Sequence, residues 1–179
     1  MTSVGTVYAQ ALYSLAKDEE CSEAILKELA ALQESFSAEP DFLRLLAAPN
    51  LSKEERCQIV DSSFRGKVHP YVLNFMKILT EKGYMRHFTD CCEAYRVLYN
   101  RDNGILSVNA VSAVALTGEQ QEKLTRKLET LTGKTVELVC RIDPAVMGGV
   151  RLDYDGKRVD GTVISRLESI SNLLKNTVL

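Results

Sequence analysis

Ile142-Asp143-Pro144-Ala145-Val146-Met147-Gly148-Gly149-Val150, followed by Val159-Asp160-Gly161-Thr162-Val163 and Leu167, is the stretch that decides the fold. It reads as a turn, a glycine-kinked strand, a hairpin, a second turn and a closing helix. It holds no nucleophile, no histidine and no glycine-lysine pairing at phosphate-loop spacing. Asp143 and Pro144 turn the chain, and Gly148-Gly149 mark a bulge or a close backbone approach at the start of a strand. Asp155-Gly156 is a hairpin signal. Asp160-Gly161 then lead into a helix carried by Ile164, Leu167, Ile170 or Ser171, and Leu174, with Asp160 or Thr162 as its cap.

Working back from this stretch, period-two alternation runs through Val136, Leu138, Cys140 and Ile142. It recurs through Leu106, Val108, Ala110, Ser112 and Val114. Between these lies a helix with Leu124, Leu128 and Leu131 on one stripe. It opens on a Thr117/Gln120 capping box and ends at Gly133. Before Asp102-Asn103-Gly104 the period is helical throughout. Val4, Val7, Tyr8, Ala11, Leu12 and Leu15 share one face, and Ile25, Leu29, Leu32 and Phe36 another. Pro40 opens a short helix over Asp41 to Ala48, and Pro49 ends it. Ser52 and Glu55 form a capping box for a fourth helix through Cys57, Val60 and Phe64. Pro70 opens a fifth along Val72, Phe75, Met76 and Leu79, stopped by Gly83. A sixth runs from about Met85 to Tyr99. The expectation is an α+β protein. Residues 1–104 form a six-helix bundle, and residues 105–179 form a two-layer α/β domain of strand, helix, three strands and helix.

Composition narrows the function. The chain has 179 residues, 45% hydrophobic and 26% charged, with a formal net charge of −2. Residues 1–104 carry 12 Lys/Arg against 15 Asp/Glu, and residues 105–179 carry 10 against 9. Neither half is basic, and Arg126-Lys127 and Lys157-Arg158 are pairs rather than clusters, so a nucleic-acid surface is not expected. No apolar run reaches the length of about 20 residues that spans a bilayer. The start, Met1-Thr2-Ser3-Val4-Gly5, lacks the character of a secretory signal or an organelle transit peptide.

Candidate chemistry is sparse. The five cysteines (Cys21, Cys57, Cys91, Cys92, Cys140) fit no zinc or redox spacing and read as reduced, buried small hydrophobes. His87 lies four residues from Cys91, but no glycine-rich backbone donors flank such a pair. Asp143, Asp153, Asp155 and Asp160 do not follow a Ca²⁺-loop pattern, and Asp143, Asp155 and Asp160 read as turn and cap residues. No catalytic residue, metal site or cofactor is expected. What remains is apolar surface: the first and fifth helices are apolar over more than one face. That marks either central helices or a groove open to a partner helix.

The order and spacing of several segments resemble one family along essentially the whole chain. These are Tyr8-Ala9-Gln10-Ala11-Leu12; Leu46 to Pro49 with Leu51-Ser52; Asn74-Phe75 with Leu79, Glu81, Gly83 and Arg86; and Val111-Ser112-Ala113-Val114 with Leu116-Thr117. Asp143-Pro144 through Gly149 and Asp160-Gly161-Thr162 complete the series. Together they are similar to the delta subunit of F-type ATP synthases, relative of the mitochondrial oligomycin-sensitivity-conferring protein. Tyr84-Met85 separate Gly83 from Arg86 where the family usually has them adjacent, and Thr162 stands where serine is commoner.

The resemblance implies a non-catalytic stator subunit, one copy per complex, joining the catalytic head to the peripheral stalk. It implies attachment to the cytoplasmic face of the membrane only through the complex. The implied partners are an alpha-subunit N-terminal helix and the peripheral stalk b subunits. The helix would be held between the first and fifth helices by residues drawn from Tyr8, Ala11, Leu12, Leu15, Val72, Phe75, Met76 and Leu79. Which of these eight are groove and which are core stays open. The alternatives are a generic helical adaptor and a small cysteine-dependent enzyme.

Overall fold

The computed structural model describes residues 3–46, 51–146, 148–154 and 156–161. In chain order the elements are α1 (Ser3–Asp18), α2 (Ser22–Ala38), α3 (Pro40–Leu46), α4 (Lys53–Phe64) and α5 (Pro70–Glu81). A 3-10 turn (Met85–His87) leads into α6 (Phe88–Asp102). Then follow β1 (Ile105–Ser112), α7 (Gly118–Thr132), β2 (Thr135–Ile142), β3 (Val150–Tyr154) and β4 (Lys157–Asp160). This is an α+β fold. The chain divides into two compact units, Met1–Tyr99 and Asn100–Leu179.

The first unit closes on one apolar core. Ala9, Leu12 and Ala16 of α1 meet Ile25, Leu29 and Phe36 of α2, Val60 of α4, and Phe88 and Tyr95 of α6. α5 contributes Val72, Phe75, Met76 and Leu79, all buried. Burying a large apolar side chain is worth roughly 1.5–3 kcal/mol, so this cluster dominates the unit's stability. Aromatic edges help to fix its packing: Phe36 stacks on Phe42 with centroids 5.5 Å apart and meets Phe88 edge-on at 5.0 Å. The helix ends follow their local chemistry. The Ser52 hydroxyl accepts the Glu55 N–H at 3.1 Å while the Glu55 carboxylate accepts the Ser52 N–H at 2.8 Å. Gly83 takes φ +72°, which lets the Tyr84 N–H reach back to the Leu79 carbonyl at 2.7 Å and close α5.

One helix start differs from expectation. The segment from Met85 enters α6 as a 3-10 turn, in which the His87 N–H donates to Tyr84 at 2.8 Å. The tight exit from Gly83 leaves room for an i+3 bond before the α-ladder begins. α3 is described to Leu46, and the expected continuation to Ala48 lies outside the described residues.

The second unit is a four-stranded sheet in the order β2-β1-β3-β4. β1 and β2 are parallel, and α7 makes the crossover between them. β3 runs antiparallel to β1, and β3 and β4 form a hairpin in which Tyr154 pairs with Lys157. Leu106 and Val108 of β1, Val136 and Leu138 of β2, and Leu152 and Tyr154 of β3 form the apolar face, on which α7 lays Leu124 and Leu128. α7 starts on the Thr117/Gln120 capping box and stops at Gly133. β1 ends at Ser112 rather than continuing its alternation to Val114, because the Ser112 hydroxyl donates to the Val114 carbonyl at 2.7 Å and bends the chain. The expected closing helix through Ile164, Leu167 and Leu174 lies outside the described residues, as do Met147, Asp155 and Thr162.

Candidate functional site: an apolar flank on the first and fifth helices

α1 has three kinds of side. Its core side is Ala9, Leu12, Tyr13 and Ala16, all buried. One flank carries Thr6, Gln10, Ser14 and Lys17, which are polar and exposed. The other carries Val4, Tyr8, Ala11 and Leu15, spaced at four, three and four residues and therefore aligned along the helix. Val4 and Tyr8 are half-buried, Ala11 is exposed, Leu15 is 41% exposed, and Val7 beside them is 65% exposed.

α5 repeats the asymmetry. Its Lys77 side meets α4: the Lys77 ammonium pairs with the Asp61 carboxylate, and the Cys57 thiol donates to the Lys77 carbonyl at 3.7 Å. On the other flank Tyr71 is half-buried, Asn74 is exposed and Ile78 is 37% exposed. α1 and α5 are in contact. The Tyr8 ring meets Tyr84, just past the end of α5, edge-on at 5.8 Å.

The N-terminus of α5 is set by His69. Its Nδ1 accepts the Tyr71 N–H at 3.3 Å, and its own N–H donates to the Glu28 carboxylate of α2 at 2.7 Å. A histidine before proline carries little capping signal in sequence, so this role was not legible there.

The eight residues singled out from the sequence therefore fall into two groups. Leu12, Val72, Phe75, Met76 and Leu79 are buried in the core of their own unit. Tyr8, Ala11 and Leu15 are accessible. The accessible group is joined by Val7, which shares the apolar face of the first helix in sequence, and by Ile78, whose only sequence signal is being apolar outside the main stripe of its helix.

The other candidate groups have plain structural surroundings. Burial pushes the Cys91 thiol up to about 11 and the Cys92 thiol further, and Cys92 donates to the Leu29 carbonyl at 3.8 Å. Neither is a ready thiolate. His87 faces other groups: its Nε2 accepts the Arg86 Nε–H at 3.1 Å, and its Nδ1 lies 3.6 Å from Asp90. The expectation that the cysteines are buried holds for only two of them. Cys21 and Cys57 are half-buried, and Cys140, on the edge strand β2, is exposed. No cluster of metal-ligating side chains occurs among the described residues.

In the second unit the Asp143 carboxylate accepts the Ala145 N–H at 3.0 Å, and the Asp143 N–H donates to Ser112 at 2.9 Å. Gly148 and Gly149 take φ of +144° and +82°, backbone that a Cβ would strain. The Gly161 N–H donates to Val150 at 3.2 Å, and a Cβ on Gly161 would lie 3.1 Å from the Val150 oxygen. Asp160 pairs in register with Arg151 across the β3–β4 hairpin. The expectation that it caps a helix concerns residues outside the described ones.

Residues 4–174 match the model of the ATP synthase delta (OSCP) subunit family. ATP synthase subunit delta of Alkaliphilus oremlandii is 30% identical over 172 residues, covering 96% of each chain. The subunit delta of Clostridioides difficile is 28% identical, covering 96% of this chain and 95% of its own. A chain of the Toxoplasma gondii mitochondrial ATP synthase shares the fold with a TM-score of 0.80 at 18% identity, covering 97% of this chain and 98% of that one. A match running from the first helix into the closing segment takes in both compact units: the chain belongs to the ATP synthase delta (OSCP) subunit family.

Proposed function

We propose that this chain is the stator joint of an F-type ATP synthase, tying the catalytic head to the peripheral stalk against the drag of the rotating shaft. Family membership makes it a non-catalytic subunit of that complex. Among the described residues no helix is long and apolar enough to cross a membrane. In this reading the chain sits on the cytoplasmic face, held there through the complex. One copy serves each complex.

In this reading α1–α6 act as a six-helix bundle of residues 1–104 that receives the N-terminal helix of an alpha subunit. The observation that carries it is the one-sided apolar flank of α1: Val4, Tyr8, Ala11 and Leu15 on one side against Thr6, Gln10, Ser14 and Lys17 on the other. A solvated bundle helix has no need of this asymmetry. An amphipathic helix laid along the flank would cover Val7, Leu15 and Ile78, while exposed Ala11 permits close approach. The buried five of the original eight hold the wall rather than touch the guest. Residues 105–179 form the unit that meets the stalk b subunits. A stator joint needs slow dissociation, and buried apolar anchors supply it.

The test is co-purification of the tagged full-length chain with the synthase, coupled to titration with a synthetic alpha-subunit N-terminal peptide. Co-purification with peptide binding lost on altering Ala11 or Leu15 supports the reading. Peptide binding insensitive to both places the groove elsewhere.

A further inference from the structure

We infer that the outer edge of β2 receives an extended segment of a neighbouring subunit, which adds to the sheet as a fifth strand and carries a basic side chain into the cleft beside α7. This rests on the chain working inside the assembled synthase.

β2 is eight residues long and lies at the edge of the sheet. The Thr135 N–H donates to Gly104 and the Asp143 N–H to Ser112, so the odd-numbered residues of the strand face β1. By the two-residue period of a strand, Val136, Leu138, Cys140 and Ile142 turn both N–H and C=O outward. The Val136 N–H is taken by the Glu129 carboxylate of α7 at 3.2 Å. The N–H groups of Leu138, Cys140 and Ile142 have no partner among the described residues. The opposite edge is guarded: β4 is only four residues long and carries Lys157 and Arg158. β2 has no proline, no lysine and no short length to discourage pairing.

The chemistry beside this edge selects the guest. A cleft of about 560 Å³ runs between α7 and Leu138, lined by Gln121, Glu122, Thr125, Arg126 and Glu129. It holds two carboxylates against one guanidinium, and Arg126 is already turned onto Glu122 at 3.3 Å. A cation on the incoming strand complements the remaining charge. Farther along the same face Cys140 is exposed and Ile142 is 60% exposed. The guest is therefore an extended segment with Lys or Arg beside Leu138 and an apolar residue beside Ile142. Main-chain bonds supply affinity, and these alternate side chains supply selection.

Amide hydrogen exchange of the full-length chain, alone and within the purified synthase, tests this. Alone, Leu138, Cys140 and Ile142 should exchange quickly while Glu137, Val139 and Arg141 are protected. In the synthase that alternation should vanish. Cys140→Pro deletes one outward N–H and spares the ladder to β1. It should weaken incorporation at least tenfold while Val139 and Arg141 stay protected. Glu129→Gln keeps an acceptor for the Val136 N–H but removes the charge, and should weaken incorporation severalfold with a flatter salt dependence. Alternation that persists in the synthase overturns the added strand and leaves the stator assignment standing. Alternation already lost in the isolated chain, in a concentration-dependent way, assigns the edge to a second copy and overturns it too. A chain that never enters the synthase overturns both readings.

Discussion

The rings of Tyr8 on α1 and Tyr84 beyond α5 meet edge to face, with centroids 5.8 Å apart and planes inclined at 64°. Tyr84 follows Gly83, whose left-handed backbone turns the chain at the end of α5. The pair thus fastens the apolar flank of α1 to the far end of α5. Such a contact is worth roughly 0.5–1.5 kcal/mol beyond area burial. Tyr84→Ala should lower the unfolding free energy by about that amount plus the lost burial, and should also weaken the alpha-subunit peptide. Chemical denaturation and peptide titration on the same variant check both, and peptide affinity unchanged after a loss of stability would detach the pair from the groove.

Ala11 is the sharpest test of the proposed groove, since it is exposed between half-buried Tyr8 and exposed Leu15. Ala11→Glu should weaken the peptide at least tenfold, about 1.4 kcal/mol. It should leave the melting temperature nearly unchanged, because no buried contact is disturbed.

Met76 and Leu12 should behave in the opposite way. Met76 is fully buried and Leu12 is 4% exposed. Truncating either to alanine should cost about 2–5 kcal/mol of stability through lost burial and a residual cavity. Peptide affinity, measured where the variant remains folded, should change less than it does for Ala11→Glu.

Asp61 gives the first unit an acid-sensitive contact. Lys77 first, then Arg65, holds its carboxyl below the ordinary carboxylate range. A depressed folded value means the contribution is present above the unfolded value of about 4 and is lost as pH falls through the folded value. Asp61→Asn should therefore reduce stability at neutral pH and flatten the decline below about pH 4. Urea midpoints measured from pH 7 to pH 2.5 would show it.

The cysteines should sort by surroundings. Cys140 is exposed and should react first with a thiol reagent in the native chain, with Cys91 and Cys92 reacting only on unfolding. Burial raises the Cys91 thiol to about 11, so its protonated form favours the fold. That contribution is present below the unfolded value of about 8.5 and is lost as pH rises towards 11. Stability should fall across that alkaline window, less so in Cys91→Ala once its lower baseline is subtracted.

Most of the local structure was written in the sequence because its determinants are local. Ser52/Glu55 and Thr117/Gln120 cap because each pair sits three residues apart, and Gly83 and Gly133 end helices because they accept left-handed backbone. The change of hydrophobic period after Gly104 marks where β1 begins, since helix and strand bury residues at different spacings. Tertiary structure decided what periodicity leaves degenerate. Leu12 and Leu15 look alike on a helical wheel of α1, yet the first joins the buried core of the unit and the second stays 41% exposed. Cys140 alternates like a core residue, but β2 is an edge strand and α7 packs nearer to Val136 and Leu138. Sequence fixes which side chains are able to be buried, and only the packing of one element on another settles which of them are covered.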